Sequence, residues 1–309
     1  MQREFSFPLP NGWFQVAYSD ELAVGQLERL SYFGTELILF RGQDGRARVL
    51  DAYCPHLGAH IGYGGQVVGN AVRCPFHAWE YDGSGCCTRI PYAKRIPVNA
   101  RVRSWPVDEK SGLILVYFHK DHADPQFEIP EIPEYHSAEW TDYFRKEFTV
   151  RSRNQELAEN AVDPAHFKYV HRTAEVPKAE AWTEDHVFRA KLDYPIVMGD
   201  DVQYGKVDIS AYGFGVGVSR FRGIVDTTVV IGGTPIDDDH VHQRMSFSIK
   251  KLDSEEATQG VGRAFVEEIS RQFSEDMPIW ENKTFWSRPV LCDGDGPIAT
   301  LRKWGGQFH

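Results

Sequence analysis

The chain has little of what a secreted, membrane-bound or nucleic-acid-binding protein needs. Its five cysteines are an odd number, and Cys86, Cys87 and Cys292 show no framework spacing, which argues against a disulfide-stapled secreted fold. The longest apolar run is about the length of a strand, far short of the roughly 20 residues of a membrane-spanning helix, and Met1-Gln2-Arg3-Glu4-Phe5 offers no apolar signal region. A cytoplasmic protein with no membrane partner is expected. Basic excess is missing too: the formal charge is −10, whereas nucleic acid or an anionic membrane rewards clustered Lys and Arg. A nucleotide fingerprint is also absent. Gly213, Gly215 and Gly217 lack the G-x-G-x-x-G spacing, the following helix and the downstream acid, and read as a Gly-bearing strand.

Two short motifs stand out against these absences. Cys54-Pro55-His56 and, after 17 intervening residues, Cys74-Pro75-Phe76-His77 form a C-x-H…C-x-x-H pattern. Two thiolates and two imidazoles on two loops can hold a Rieske [2Fe–2S] cluster, in which histidines replace cysteines on one iron. A Cys2His2 zinc site uses the same ligand types, but zinc modules open with a C-x-x-C-like knuckle and keep their histidines together. Here each loop supplies one Cys and one His, which suits a cluster better, and prolines stiffen both loops.

At 309 residues with 42% apolar content, the chain has room for a second domain. From Gly12 to about His119, short β-rich runs are broken by Gly, Pro and Asp. Glu36-Leu37-Ile38-Leu39-Phe40, Ala47-Arg48-Val49-Leu50 and Gly112-Leu113-Ile114-Leu115-Val116-Tyr117-Phe118 read as strands, and Asp82-Gly83-Ser84-Gly85 as a turn. Residues 1–120 are expected to be a small all-β domain, and Pro125, Pro130 and Pro133 mark an extended linker over 121–140. Residues 141–309 are expected to be an α+β domain. Within it, 154–169 reads as a helix that Pro164 kinks or restarts. Residues 204–233, with alternation over 212–218, and residues 243–252 read as strands. Residues 260–280 return to helical period with Val261, Phe265, Ile269 and Phe273 on one face.

The second domain carries Asp163-Pro164-Ala165-His166-Phe167-Lys168-Tyr169-Val170-His171. Two histidines and one carboxylate with open positions make the facial triad of non-haem Fe(II) oxygenases. His166 and His171 are the candidate imidazole ligands, and an upstream electron centre needs such a destination. Asp163, one helical turn before His166, can orient its ring by a hydrogen bond. No flavin or nicotinamide site is visible, so reducing equivalents must come from another protein.

On these residues the sequence resembles the Rieske non-haem iron oxygenases, the aromatic-ring-hydroxylating oxygenase α-subunit superfamily. The resemblance runs through Asn160-Ala161-Val162-Asp163-Pro164-Ala165-His166 and Glu275-Asp276-Met277-Pro278-Ile279-Trp280. Within the superfamily it is strongest to the oxygenase components of 3-ketosteroid 9α-hydroxylases and related sterol oxygenases. That likeness is carried by Leu50-Asp51-Ala52-Tyr53-Cys54, Pro91-Tyr92-Ala93-Lys94-Arg95, Arg103-Ser104-Trp105, Ile129-Pro130-Glu131-Ile132-Pro133, Asp295-Gly296-Pro297 and Leu301-Arg302-Lys303-Trp304, and it is poor over 172–250. The resemblance implies a helix-grip fold with an antiparallel sheet flanked by helices. It makes Cys54, His56, Cys74 and His77 the cluster ligands and Asp276 the third ligand of a mononuclear Fe(II), places Asn160 close to that iron, and gives Asp163 the role of bridge to a cluster histidine of the neighbouring subunit in a head-to-tail homotrimer. Respiratory Rieske proteins carry a loop disulfide where this chain has Ala59 and Phe76, so a lower potential is implied.

The implied activity is that of a monooxygenase. It uses O₂ and electrons from NAD(P)H, through a separate reductase or ferredoxin, to hydroxylate an apolar, polycyclic, steroid-like substrate. Oxidative demethylation or aromatic hydroxylation by the same iron is the alternative, and an electron carrier with an inactive second domain is the alternative of another class. Among other features, Arg89, Lys94, Arg95, Arg101, Arg103 and Lys110 read as a solvated strand face or as a docking patch for an acidic donor. His240-x-His242 reads as a polar hairpin, Cys86-Cys87 as free thiols and His60 as a non-ligand. Trp79 and Tyr53 are expected to pack around the cluster loops.

Overall fold

The computed structural model describes residues 8–198, 201–223 and 225–309, with side chains for all of these except 194–198 and 201–203. The reading of Met1 to Phe5 lies outside the described residues. Contacts divide the chain into two units, one of residues 14–125 and one of residues 126–309 joined by the segment up to Trp13.

The first unit is built from small antiparallel sheets. Leu27–Tyr32, Thr35–Arg41, Ala47–Asp51 and Ser104–Trp105 form one, and Gln66–Val68, Ala71–Arg73, Glu80–Tyr81 and Cys87–Arg89 form another. Ile38, Phe40, Leu50, Val72 and Tyr81 meet in one apolar core that also holds Cys54 and Cys74. The turn at residues 82–85 forms because Asp82 Oδ1 accepts from Ser84 N and Cys86 N. Its Gly85, at φ 79°, is required on two grounds, since a Cβ there would stand 1.9 Å from the Val102 carbonyl.

The second unit is a seven-stranded antiparallel sheet. Its spatial order is Phe144–Val150, Val241–Ile249, Thr227–Pro235, Val216–Arg222, Asp201–Tyr212, Val187–Met198 and Lys178–Glu184. Among the described residues four α-helices accompany it: α1 (Asn154–Asn160), α2 (Pro164–Tyr169), α3 (Glu255–Asn282) and α4 (Ile298–Gly305). Val266, Phe273 and Trp280 of α3 pack on Val150, Val229, Met245 and Phe247, while Leu301 and Trp304 of α4 pack on Phe188, Ala190 and Leu192. Among the described residues no helix is long and apolar enough to cross a membrane.

Several expectations shift. Of the kink or restart expected at Pro164, the restart is found: Pro164 opens α2 at its first position, where its missing N–H costs nothing. The strand expected across 212–218 is interrupted, because one strand ends at Tyr212, the next begins at Val216, and residues 213–215 turn between them. The buried stripe of α3 runs through Gly262, Val266, Phe273 and Trp280, and of the expected face Phe265 and Ile269 pack half-buried against the same core while Phe273 is buried in it. Residues 127–136 do not hang free: Ile129 and Ile132 are buried, and Glu134 binds Arg220 and Thr228 of the sheet.

Candidate active site and electron-transfer centre

The two Cys/His loops share one backbone design. Cys54 N donates to Ala59 O and Gly58 N to Cys54 O; Cys74 N donates to Trp79 O and Ala78 N to Cys74 O. Each loop turns through a left-handed residue, Gly58 at φ 74° and Ala78 at φ 57°, with His56 two residues after its cysteine and His77 three after its own. The His56 and His77 rings lie 4.6 Å apart. Trp79 stacks on His56 at 4.5 Å and donates its indole N–H to Tyr92 Oη. Tyr53 is different: it is 53% exposed and meets His60 edge-on, so Trp79 alone of the expected pair covers the loops.

Cys54 and Cys74 are buried free cysteines. Burial, together with the neighbouring Cys54 thiol, pushes the Cys74 thiol above its ordinary value. His77 Nδ1 is buried with no hydrogen-bond partner, a costly state for an imidazole nitrogen unless a ligand takes it. Tyr81 Oη lies 3.1 Å from Cys54 Sγ. Two buried thiols and a stranded imidazole nitrogen fit a [2Fe–2S] cluster held by two Cys and two His.

The second centre is assembled by α1, α2 and α3. His166, His171 and Asp276 bring one ligand atom each to within 4.8 Å of one another, and among the described residues they are the group of three or more His, Cys or acidic side chains that does so. His166 Nδ1 lies 2.5 Å from the Asp163 carbonyl oxygen. A carbonyl can only accept, so the ring proton sits on Nδ1 and the Nε2 lone pair faces the site. His171 Nδ1 is held by Glu275 Oε2 at 3.0 Å, which leaves its Nε2 3.2 Å from Asp276 Oδ2. Asn160 Nδ2 donates to Asp276 Oδ2 at 3.0 Å and lies 3.1 Å from His166 Nε2.

Burial pushes His166 below the ordinary histidine range, toward the neutral form that ligates metal. For His171 burial works in the same direction, but bonds to Asp276 and Glu275 outweigh it and raise the group. Glu275 is held low by its bond to His171 and by Arg271. Two neutral-capable imidazoles and a buried carboxylate on one side fit a facial-triad iron with open positions. The Asp163 side chain does not orient His166. Its Oδ1 caps α2 by accepting from Ala165 N, and the backbone carbonyl does the orienting.

A cavity of about 240 Å³ opens beside the triad, the scale of one small molecule rather than a polymer. Its floor is one face of the sheet. Register aligns Gln243 with Gly233, then Met245 with Ile231 and Gly217, then Phe247 with Val229 and Ser219. Gln243 and Ser219 therefore stand four residues apart along the strands, about 13 Å, with apolar and glycine positions between them. Leu157, Phe167 and Phe273 close the cavity from the helices.

The profile of the Rieske [2Fe-2S] domain matches residues 12–106, and that of the 3-ketosteroid 9α-hydroxylase C-terminal domain matches residues 116–309. The chain is a Rieske oxygenase of the 3-ketosteroid 9α-hydroxylase family. It is 33% identical to the 3-ketosteroid-9-alpha-monooxygenase oxygenase component of Rhodococcus rhodochrous over 96% of this chain and 82% of that one. It is 31% identical to cholesterol 7-desaturase nvd 1 of Ciona intestinalis over 97% of this chain and 68% of that one. In structure it is similar to Pseudomonas putida CBB5 NdmA with caffeine, with a TM-score of 0.80 at 20% identity over 95% of this chain and 89% of that one. At that identity the likeness is one of fold.

This Rieske oxygenase is thus a monooxygenase component with a Rieske [2Fe–2S] cluster and a mononuclear iron. The zinc and electron-carrier alternatives fall away, since both the cluster domain and the catalytic domain match. Sequence reasoning missed Glu275 and Tyr81. Glu275 stands next to Asp276 within the matched Glu275-Asp276 pair, and that adjacency was the signal for it. Nothing local pointed to Tyr81. Of the remaining features, His240 and His242 bind Asp237 and Glu147 as a polar hairpin would, and Cys86 and Cys87 are unbridged. Lys94 and Arg95 stand on an exposed loop and not on a strand face.

Proposed function

We propose that this oxygenase hydroxylates a polycyclic, steroid-like substrate lying along the cavity floor. The observation that carries the reading is the triad of His166, His171 and Asp276 placed at the wall of an apolar cavity whose sheet floor is about 13 Å long and free of charge. The names of its relatives, a ketosteroid monooxygenase and a cholesterol desaturase, point to the same substrate class.

Cys54, His56, Cys74 and His77 hold the cluster, and His166, His171 and Asp276 hold the iron. When bound, the iron supplies the O₂ chemistry and the cluster supplies electrons. The protein's own contribution is positional. Glu275 and the Asp163 carbonyl hold the two imidazoles by their outer nitrogens, and Asn160 holds the Asp276 carboxylate. Leu157, Phe167 and Phe273 exclude water from the substrate. We further propose that the chain works in the cytoplasm as a head-to-tail homotrimer, drawing on NAD(P)H through a reductase or ferredoxin. Asp163, already capping α2, would meet the cluster histidine of the next subunit there.

The test supplies metal-loaded protein with NADH, a surrogate reductase and a panel of tetracycles, and follows O₂ consumption and product mass. A product carrying one added oxygen atom is expected. Asp276→Ala should abolish it while sparing the visible cluster spectrum. Survival of turnover in that variant would remove Asp276 from the ligand set, and a panel with no responding member would remove the polycyclic substrate.

A further inference from the structure

The cavity wall holds a polar pair that the triad chemistry leaves unused. Gln243 is 3% exposed and lines the cavity. Among the described residues its side-chain amide has no hydrogen-bond partner. Gly233 stands opposite in register, and a Cβ there would lie 3.2 Å from Gln243 Oε1 and 3.1 Å from Asn154 Nδ2, so the missing side chain is what lets the two amides approach. Asn154, also a lining residue, is locked in one orientation because Nδ2 donates to Phe214 O at 3.0 Å and to Gly233 O at 2.6 Å. Turning the amide over would set an oxygen against two carbonyls. Asn154 Oδ1 is thereby left buried with no donor.

Unpaired buried amides are rare and costly, and in a binding cavity they mark the group that the ligand supplies. We infer that Gln243 and Asn154 form a polar subsite that binds a hydroxyl group on an otherwise apolar polycyclic substrate, an inference that rests on the substrate reading above. The Gln243 amide offers one donor and one acceptor whichever way it is turned, and Asn154 adds an acceptor. A hydroxyl is the smallest group that can donate to one and accept from the other. A ketone only accepts, which leaves both amide oxygens unpaired. A carboxylate would enter an apolar cavity with no cation at this end, and an ammonium would leave the Gln243 N–H groups without an acceptor. Sites built around a substrate hydroxyl discriminate strongly against analogues that lack it, for the same reason.

The experiment is equilibrium dialysis of the metal-loaded protein against three tetracycles of one carbon skeleton, differing at a single terminal-ring carbon by a hydroxyl, a ketone or hydrogen alone. The hydroxyl compound should bind at least about tenfold tighter than the other two. Gln243→Leu should bring the three affinities to within about twofold without weakening the hydrogen-only compound. Gln243→Met, closest in length, carries the same expectation if the leucine variant folds poorly, and unchanged iron content with an unchanged visible spectrum certifies either protein. Equal affinities for hydroxyl and ketone in the wild type would overturn the subsite while leaving the polycyclic substrate in place. A preference that persists in both variants would also overturn it. Failure of all three compounds to bind would overturn the polycyclic reading, and this inference with it.

Discussion

Tyr81→Phe should lower the reduction potential of the cluster without loss of iron. Tyr81 is fully buried, and its hydroxyl lies 3.1 Å from Cys54 Sγ. Burial, reinforced by the adjacent Cys54, holds the phenol protonated far above its ordinary range, so it is the donor of this bond. A hydrogen bond to a charged acceptor is worth about 1.5–3 kcal/mol. Reduction adds one negative charge to the cluster and strengthens such a bond, and if half or more of its worth appears between the two oxidation states the difference is about 1–2 kcal/mol. For a one-electron couple 59 mV corresponds to a tenfold change in equilibrium, so the potential should fall by about 40–90 mV. Phenylalanine keeps the ring and its packing against Cys54, which confines the change to the lost bond. A potentiometric titration followed by visible absorbance measures it. An unchanged or raised potential would show that the hydroxyl does not favour the reduced state and that the reasoning from this bond is wrong.

Glu275→Gln removes the anionic partner of His171 Nδ1 and should weaken retention of the mononuclear iron by about 10-fold or more. Competition against a chelator, with the cluster spectrum as internal control, measures this. Asp163→Asn preserves the helix cap, since Asn and Asp cap equally well, so thermal stability and both metals should be retained. If Asp163 bridges to the neighbouring subunit, reoxidation of a prereduced cluster in a single turnover with substrate and O₂ will slow; wild-type kinetics would send the electrons by another route. Glu134 is buried, and although burial opposes ionisation, its bonds to Arg220 hold it below the ordinary 4.5. Its stabilisation is present above that ordinary value and is lost as pH falls through the lower folded value. Glu134→Gln should therefore cost roughly 3 kcal/mol or more at neutral pH. Its deficit in Tm against the wild type should narrow in acid, and a gap constant with pH would remove the ion pair as its cause.

What the chain determines by itself is local. Cys54, His56, Cys74 and His77 are legible because each ligand pair lies within four residues, inside a loop stiffened by Pro55 or Pro75. The turn at 82–85 is legible because Asp82 and Gly85 carry its chemistry, and the start of α2 because Pro164 admits few other positions. Strands with strong apolar contrast, such as Leu113–Phe118, announce themselves. Lys178–Glu184 does not, because its inward positions include Ala179 and Ala181, whose contrast with the polar face is too weak to set a period before α4 packs against them.

Tertiary structure decided the rest. Asp276 joins His166 and His171 only because α3 crosses the sheet beside α1 and α2, bringing together residues that have no local relation, and spacing alone leaves it an ordinary helical acid. Whether the side chain or the carbonyl of Asp163 faces His166 depends on a backbone path that the segment does not reveal. Tyr81 reaches Cys54, and Gln243 reaches the neighbourhood of Asn154, through strand register and a glycine opposite. Ligand identity is a property of residue type and short spacing, whereas orientation, burial and unmet hydrogen bonds are properties of neighbours that only the folded chain supplies.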